Sequence, residues 1–149
     1  MLKTLTATSN DLSPLLLRFV LGLVMFPHGA QKALGWFGGG GWNGTMGFFT
    51  GQLGVPAVVA ALVILGEFLG ALGLITGTLT RVAAFGIAVI QLGAVFMAHA
   101  PHGFFMNWYG TQKGEGYEYA LLAIAMSVSL LITGAGALSI DTRLSTGKR

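Results

Sequence analysis

Long apolar runs with almost no charge are the feature that most constrains this chain. Four such segments, residues 12–34, 55–76, 80–100 and 117–138, make up more than half of its 149 residues. About 20 apolar residues are enough for a helix to cross the hydrocarbon core of a bilayer. Only 9% of the residues are charged, against roughly 25% in an ordinary soluble domain. The sequence therefore predicts an all-α integral membrane bundle of four transmembrane helices.

The connectors indicate how these segments are joined. The second and third apolar segments are separated by the short stretch GTLTR, which predicts a tight antiparallel hairpin. The first segment is too long for the apolar region of a signal peptide and is interrupted by Arg18, so we interpret it as a crossing. No repeat is evident, and we expect a single transmembrane domain over residues 1–149.

The distribution of lysine and arginine predicts an orientation. With four crossings, both termini and the short hairpin connector share one side of the membrane. That side carries Lys3, Arg18, Arg81, Arg143, Lys148 and Arg149, and the other carries Lys32 and Lys113. The positive-inside rule then places both termini in the cytoplasm. The two longer connectors face outward, and Trp36, Trp42, Trp108 and Tyr109 suit an aromatic belt at the outer interface.

Charge and cysteine content exclude several function classes. The formal net charge is +3, but the basic residues lie near the ends of apolar runs, where topology explains them. We therefore expect no nucleic-acid partner. The chain has no cysteine, so it cannot by itself build a disulfide framework, a thiolate metal site or an iron–sulfur cluster.

Three polar residues lie deep within predicted crossings. An ionisable side chain at the bilayer centre costs roughly 2.5–3.5 kcal/mol on insertion scales, so each one is expected to have a partner or a function. Arg18, Glu67 and Gln91 are at depths that allow a buried network. The alternative is that Arg18 extends to the inner interface while Glu67 is protonated. Even as a pair, the two charged groups fit a packing role as well as a catalytic one.

The outer half of the predicted bundle collects further polar groups. His28 and Lys32 are four residues apart and therefore lie on one helix face. We predict a cavity that opens outward beneath the glycine-rich connector; the alternative is that these groups are only interfacial. The candidate catalytic residues are His28, Lys32 and Glu67. The candidate cavity lining for a cofactor is Arg18, Trp36, Gln91, His99, His102 and Glu118.

The histidines give a weaker indication of a metal site. His99 and His102 have helical i,i+3 spacing, and His28 is at a similar predicted depth. Pro101 breaks the helix between the pair, and such histidines more often serve as hydrogen-bonded packing residues. We therefore expect no metal centre.

An ordered set of motifs resembles the DoxX family. Its parts are Arg18 in the first helix, HGAQK at the end of that helix, EFLGALGLITGTLTR across the hairpin, and GAGALSID after the fourth helix. Together they extend over residues 15–141. The family's recurrent polar positions correspond here to Arg18, His28, Gly29, Lys32, Glu67, Arg81 and Asp141.

The resemblance implies a small four-helix protein of the bacterial or archaeal inner membrane. The founding member is a subunit of a thiosulfate:quinone oxidoreductase, and others are associated with resistance to quinones and oxidative stress. It thus implies a quinone-interacting component of a membrane oxidoreductase or oxidative-stress system. His28 and Lys32 would donate hydrogen bonds to a quinone carbonyl oxygen, and Glu67 or Glu118 would relay protons. The walls of the cavity would be Phe26, Trp36, Phe96 and Phe104.

Partners follow from the same reasoning. The sequence shows no flavin, haem or iron–sulfur motif, so a redox partner protein or bound cofactor is expected to supply electrons. Glycines at four-residue spacing in the second segment permit close helix approach and favour a homodimer. Two other function classes stay open: a non-catalytic membrane anchor or assembly subunit for a soluble partner, and a small-solute transporter.

Overall fold

A computed structural model describes residues 5–146, and within that range the chain is helical, with no strand. Lys3, Lys148 and Arg149, which enter the charge count above, lie outside the described residues. The α-helices are α1 Leu12–Leu34, α2 Gly41–Gly47, α3 Ala57–Thr76, α4 Thr80–Ala94, α5 Glu118–Thr133 and α6 Ile140–Thr146. Helix α4 continues through a π-turn, Val95–His99, and a 3-10 turn, Ala100–His102.

Three of these elements are long and apolar enough to cross a membrane. They are Leu12–Leu34, Ala57–Thr76 and Thr80–His102. The ends predicted from the sequence differ from these observed ends by at most two residues. Helix α5 is apolar but shorter, with 16 residues. The prediction that it runs to residue 138 is wrong, because Gly134, with φ +81° and ψ −159°, leaves the helix.

The elements form a bundle with two distinct ends. Helix α1 packs on α3, α3 on α4, and α4 on α5, while α1 also contacts α5. The end that carries connector 77–79 and residues 134–146 is called the hairpin end. The opposite end, which carries connectors 35–56 and 103–117, is called the loop end. The centre is filled by side chains with no exposed surface, including Met25, Ile64, Leu74, Ile87 and Leu130.

Small residues set how closely α1 and α3 approach. A Cβ at Gly29 would lie 2.6 Å from the Cα of Phe68. A Cβ at Gly22 would lie 2.9 Å from the backbone nitrogen of Ile75. The two helices therefore touch backbone to backbone, as small residues allow in membrane bundles. Gly22 and Gly29 therefore lie on the face of α1 that packs against α3.

Arg18 organises the hairpin end. Its side chain is 1% exposed and makes five hydrogen bonds of 2.7–3.1 Å, one for each guanidinium N–H. The acceptors are the carbonyl oxygens of Leu74, Ile75, Ala135, Ala137 and Leu138. The first two belong to the last turn of α3, whose carbonyls lack intrahelical partners and carry the negative end of the helix dipole. The direct partners of this buried cation are thus backbone carbonyl oxygens, and the Asp141 carboxylate lies within electrostatic range of it.

Asp141 also binds backbone groups at the hairpin end, as an acceptor where Arg18 is a donor. Its two carboxylate oxygens accept hydrogen bonds of 2.8 Å from the backbone N–H groups of Leu79 and Thr80, at the start of α4. Its own N–H donates to the carbonyl of Gly77 at 2.9 Å. The carboxylate thus caps the N-terminus of α4, where negative charge is favourable. Residues 134–141 are thereby fixed to both helices of the hairpin.

The predicted contact between Arg18 and Glu67 is wrong. Arg18 lies level with Leu74 and Ile75, which are two turns of α3, about 11 Å, from Glu67. The guanidinium also has no donor left for a carboxylate, because backbone carbonyls accept all five. Gln91, the third member of the predicted network, instead donates to Met25 Sδ at 3.4 Å.

Gly77 offers a direct test of this packing. A Cβ there would collide with Ser139 Cβ and lie 3.0 Å from Arg18 Cζ. We predict that Gly77→Ala lowers the free energy of unfolding by about 3 kcal/mol, from overpacking and a left-handed φ. Gly54→Ala is the matched control, since Gly54 has a similar φ of +65° with nothing within 4 Å. It should cost only about 1 kcal/mol; equal losses in detergent-based unfolding titrations would contradict the packing.

Candidate functional site

An ion pair between α1 and α3 forms the centre of the site, near the loop end. Lys32 Nζ lies 2.6 Å from Glu67 Oε2. The Glu67 side chain is 5% exposed and the Lys32 side chain 28% exposed. The pair forms here because Gly29, one turn before Lys32, brings α1 against the backbone of residues 67 and 68. The carboxylate is thus held inside the bundle while the ammonium keeps access to its surroundings.

His28 and Tyr119 flank this pair. The His28 carbonyl oxygen lies 3.4 Å from Lys32 Nζ. The centroid of the His28 ring is 6.0 Å from the centroid of the Tyr119 ring on α5. Both rings lie within electrostatic range of Glu67. His28 is exposed, whereas Tyr119 is half-buried. The two candidate residues on α1 therefore lie beside Glu67, whose partner is Lys32 and not the predicted Arg18.

A buried methionine lies beneath the pair. Met25 Sδ accepts hydrogen bonds from Tyr119 Oη at 3.3 Å and from Gln91 Nε2 at 3.4 Å. Met25 has no exposed surface and Gln91 is 6% exposed. A thioether is a weak acceptor, so these two donors have only a weak partner. Four helices thus contribute polar groups to one region: α1, α3, α4 and α5.

Aromatic rings lie beside the ion pair. The Phe26 ring centroid is 5.9 Å from that of Phe68 and 6.4 Å from that of Trp36. Phe68 follows Glu67 directly in α3, and Trp36 begins the connector after α1. The result is an apolar ledge of three rings, one of them on the residue that follows Glu67. It contains two of the four predicted wall residues.

The other predicted residues lie elsewhere at the loop end. Glu118 Oε1 accepts hydrogen bonds from the Met106 N–H at 2.8 Å and Trp108 Nε1 at 3.1 Å. His99 Nδ1 is 2.9 Å from the Glu115 carbonyl oxygen, and His102 packs over Gly114. These three residues shape the connector 103–117 and do not reach the ion pair.

The remaining predicted wall residues also lie away from the site. Phe96 is 73% exposed on the outside of α4 and therefore forms no wall. Phe104 packs edge-to-face on Phe105 and Tyr117 within the connector. Over residues 5–146 no group of three histidine or acidic side chains could hold a metal ion. The outward-opening cavity stays a prediction.

Tyr119 is the residue that sequence reasoning missed. Its neighbour Glu118, the candidate predicted from the sequence, is one position, or about 100°, away around the helix. The periodicity of α5 contains the missing signal. Tyr119, Ala123, Ser127 and Leu130 recur at three- and four-residue spacing, and the last three are buried, so Tyr119 lies on the inward face.

Comparison with known proteins identifies the class. The DoxX family model matches residues 13–100, which contain Arg18, His28, Lys32 and Glu67. The chain belongs to the DoxX family. No solved structure gives a significant match.

Two relatives align over nearly the whole chain. "Putative oxidoreductase CatD" of Bacillus subtilis (strain 168) is 28% identical over 141 residues, covering 95% of this chain and 93% of that protein. "Inner membrane protein YqjF" of Escherichia coli (strain K12) is 34% identical over 136 residues, covering 91% of this chain and 95% of that protein. This chain is thus a membrane protein similar to one of the inner membrane.

The ion pair predicts a specific pattern of stability. Lys32→Gln should lower the free energy of unfolding by about 2 kcal/mol, because it leaves the Glu67 carboxylate buried without a counter-charge. Adding Glu67→Gln should restore most of that loss. Lys113→Gln, at an exposed lysine of connector 103–117, is the control for loss of a positive charge. Unfolding titrations in detergent would contradict the pair if the two substitutions proved additive.

Proposed function

We propose that this chain is a quinone-interacting component of a membrane oxidoreductase or oxidative-stress system in the inner membrane. The observation that carries the proposal is the Lys32–Glu67 ion pair of 2.6 Å, in which Lys32 is 28% exposed. The ledge of Phe26, Phe68 and Trp36 supports it. Charged groups inside apolar helices are expensive and mark functional sites by default. The family match and the name of CatD support a redox role.

The residues of the site suit the head of a quinone. A quinone is a flat apolar ring with two carbonyl oxygens, so its ring fits the ledge of Phe26, Phe68 and Trp36. The Lys32 ammonium has three N–H donors; it forms the ion pair with Glu67 and donates one hydrogen bond to the His28 carbonyl. A remaining N–H of this ammonium, with the exposed His28 ring, would bind a carbonyl oxygen. Tyr119 and Gln91 would support the site from below.

Proton transfer is the second task of these groups. Reduction of a quinone to a quinol takes two electrons and two protons. His28 lies at the exposed edge, and Glu67 is next to the ammonium, so both can hold protons within reach of a bound ring. The electrons would come from a redox partner protein or a cofactor bound with it. In this proposal the chain binds the quinone, orients it and manages its protons.

We also propose the full topology predicted from the sequence. Helix α5, at about 24 Å, is shorter than the roughly 30 Å hydrocarbon core; residues 134–139 would extend it as the fourth crossing. The hairpin end would face the cytoplasm together with both termini. Connectors 35–56 and 103–117, and the edge of the Lys32–Glu67 site, would then face outward.

A second candidate function is a non-catalytic anchor or assembly subunit for a partner protein. Trp108 and Tyr109 are 77% and 90% exposed on a connector ordered by hydrogen bonds to Glu115 and Glu118. Exposed aromatic residues on a fixed loop suit a protein interface. Nothing in the tightly filled centre of the bundle favours the third class, a small-solute transporter.

Quinone binding tests the proposal. We predict that ubiquinone-1 quenches the tryptophan fluorescence of the purified protein and that Lys32→Gln weakens this binding by about ten-fold, equivalent to loss of one charge-assisted hydrogen bond. His28→Gln is a second variant that keeps the ion pair, and it should weaken binding as well. Lys113→Gln should leave the affinity unchanged. If folded Lys32→Gln and His28→Gln proteins bound ubiquinone-1 like the wild type, the site assignment would be wrong.

A further inference from the structure

The start of the connector after α1 folds back against that helix and carries one ring of the ledge. Segment 35–41 leaves α1 at Gly35, whose φ of +76° ends the helix. Its first side chain, Trp36, meets Phe26 edge to face, with ring centroids 6.4 Å apart and ring planes at 73°. Its later backbone packs on α1, since a Cβ at Gly39 would collide with the Gln31 backbone. Trp36 is thus held on the ledge by a segment that is itself folded onto α1.

The observed position of Trp36 leaves no space for a flat ring between Trp36 and Phe26. Carbon atoms in contact lie about 3.5 Å apart, so two parallel rings that hold a third between them need to be about 7 Å apart. The rings of Trp36 and Phe26 are closer than this and nearly perpendicular. A quinone ring can therefore enter between them only after Trp36 moves.

The backbone that carries Trp36 is strained in its observed position. Phe37 has φ +52° and ψ +33°, in the left-handed region that bulky L-residues avoid. The Phe37 ring is 63% exposed, so its burial does little to offset the strain. Gln31 Nε2 donates a hydrogen bond of 3.2 Å to the Phe37 carbonyl oxygen and so helps to hold this conformation. Strain of this kind is found at ligand clamps and switch regions, where surrounding contacts maintain it.

Glycines at both ends of the segment suit it to move as one unit. Gly35 and Gly41 have φ of +76° and +63°, and a Cβ at Gly35 would lie 3.5 Å from the Gly41 Cα. The segment is therefore a loop with a narrow base. Hinges are a few positions at the ends of elements that absorb changes in φ and ψ. Rotation at these two glycines would move Trp36 away from Phe26 without unwinding α1.

We propose that segment 35–41 is a lid, closed in this structure, which opens to admit a flat ring to the ledge. The inference rests on the proposed quinone function, since the quinone head is the ring that it admits. Opening breaks the contacts of the segment with Gln31 and Phe26 and relieves the strain at Phe37. Because the relief of strain offsets part of the lost contact energy, the lid has two accessible states.

Gly39→Ala tests the lid by holding it open. Gly39 has φ −77° and ψ 163°, which alanine adopts freely, so the substitution acts only through the collision with Gln31. Stopped-flow quenching of tryptophan fluorescence should show that ubiquinone-1 associates at least ten-fold faster, because the open state is no longer a minor population. Gly40→Ala is the matched control, since Gly40 has φ −76° and ψ −7° and its Cβ would make only ordinary contacts. Its association rate should equal that of the wild type.

A second pair shifts the lid in the opposite direction and guards against a segment that is merely disrupted. Phe37→Asn removes the ring and favours the left-handed conformation, so it stabilises the closed lid. Phe37→Ala removes the same ring but keeps the strain. Ubiquinone-1 should associate about five-fold more slowly with Phe37→Asn than with Phe37→Ala. Equal association rates in all four variants would overturn the lid and leave the quinone function standing.

The lid is also measured without ligand, by NMR relaxation dispersion of isotope-labelled indole N–H groups in detergent. The Trp36 signal, assigned with Trp36→Phe, should show exchange on the μs–ms timescale. Gly39→Ala and Phe37→Asn should both reduce it, because each favours one state. Trp108, whose Nε1 is bonded to Glu118, is the fixed reference. A Trp36 signal without exchange would overturn the lid, whereas exchange in a protein that binds no ubiquinone-1 would support the lid and refute the quinone function.

Discussion

The hydrogen bonds from Arg18 to backbone carbonyls are the interaction on which the rest of the structure depends. In lipid, backbone polar groups at a helix end have no water to bind, and each unsatisfied group costs several kcal/mol. Arg18 satisfies carbonyls at the end of α3 and in the segment after α5 at the same time. Asp141 satisfies the N–H groups at the start of α4. This end of the fold is thus closed by two charged side chains that bind backbone rather than each other.

The charged residues at the two ends of the bundle differ in what they bind and in how exposed they are. At the hairpin end, Arg18 and Asp141 are both 1% exposed, and each binds backbone groups. At the loop end, Lys32 is 28% exposed beside a buried Glu67 and keeps a donor unused. The two ends are related through α1, where Arg18 and Lys32 are fourteen residues, about 21 Å, apart. The matched region therefore contains charged residues of two kinds, one bound to backbone and buried, the other partly exposed.

Hydropathy was sufficient to predict the long helices, because length and apolar content determine what can cross a bilayer. Four-residue spacing correctly placed His28 and Lys32 together. The partner of Arg18 was not predictable in this way, since backbone carbonyls have no sequence signature and a carboxylate is the usual guess. Residues 134–138 were predicted as helix because they are apolar and small, but Gly134 turns the chain toward Arg18. Glu118 was predicted in place of Tyr119, and these adjacent positions point about 100° apart around the helix.

Arg18→Lys is the most direct test of whether directed hydrogen bonds from Arg18 hold this end together. Lysine keeps the positive charge, but its three N–H donors are on one atom, whereas the planar guanidinium of arginine has five. The free energy of unfolding of the two proteins is compared in the same detergent. We predict that Arg18→Lys lowers the free energy of unfolding by about 3 kcal/mol, because two or more charge-assisted hydrogen bonds are lost and their carbonyls are left without partners. An unfolding free energy equal to that of the wild type would show that charge alone is needed at this position, and it would contradict the claim that directed bonds to backbone hold the fold together.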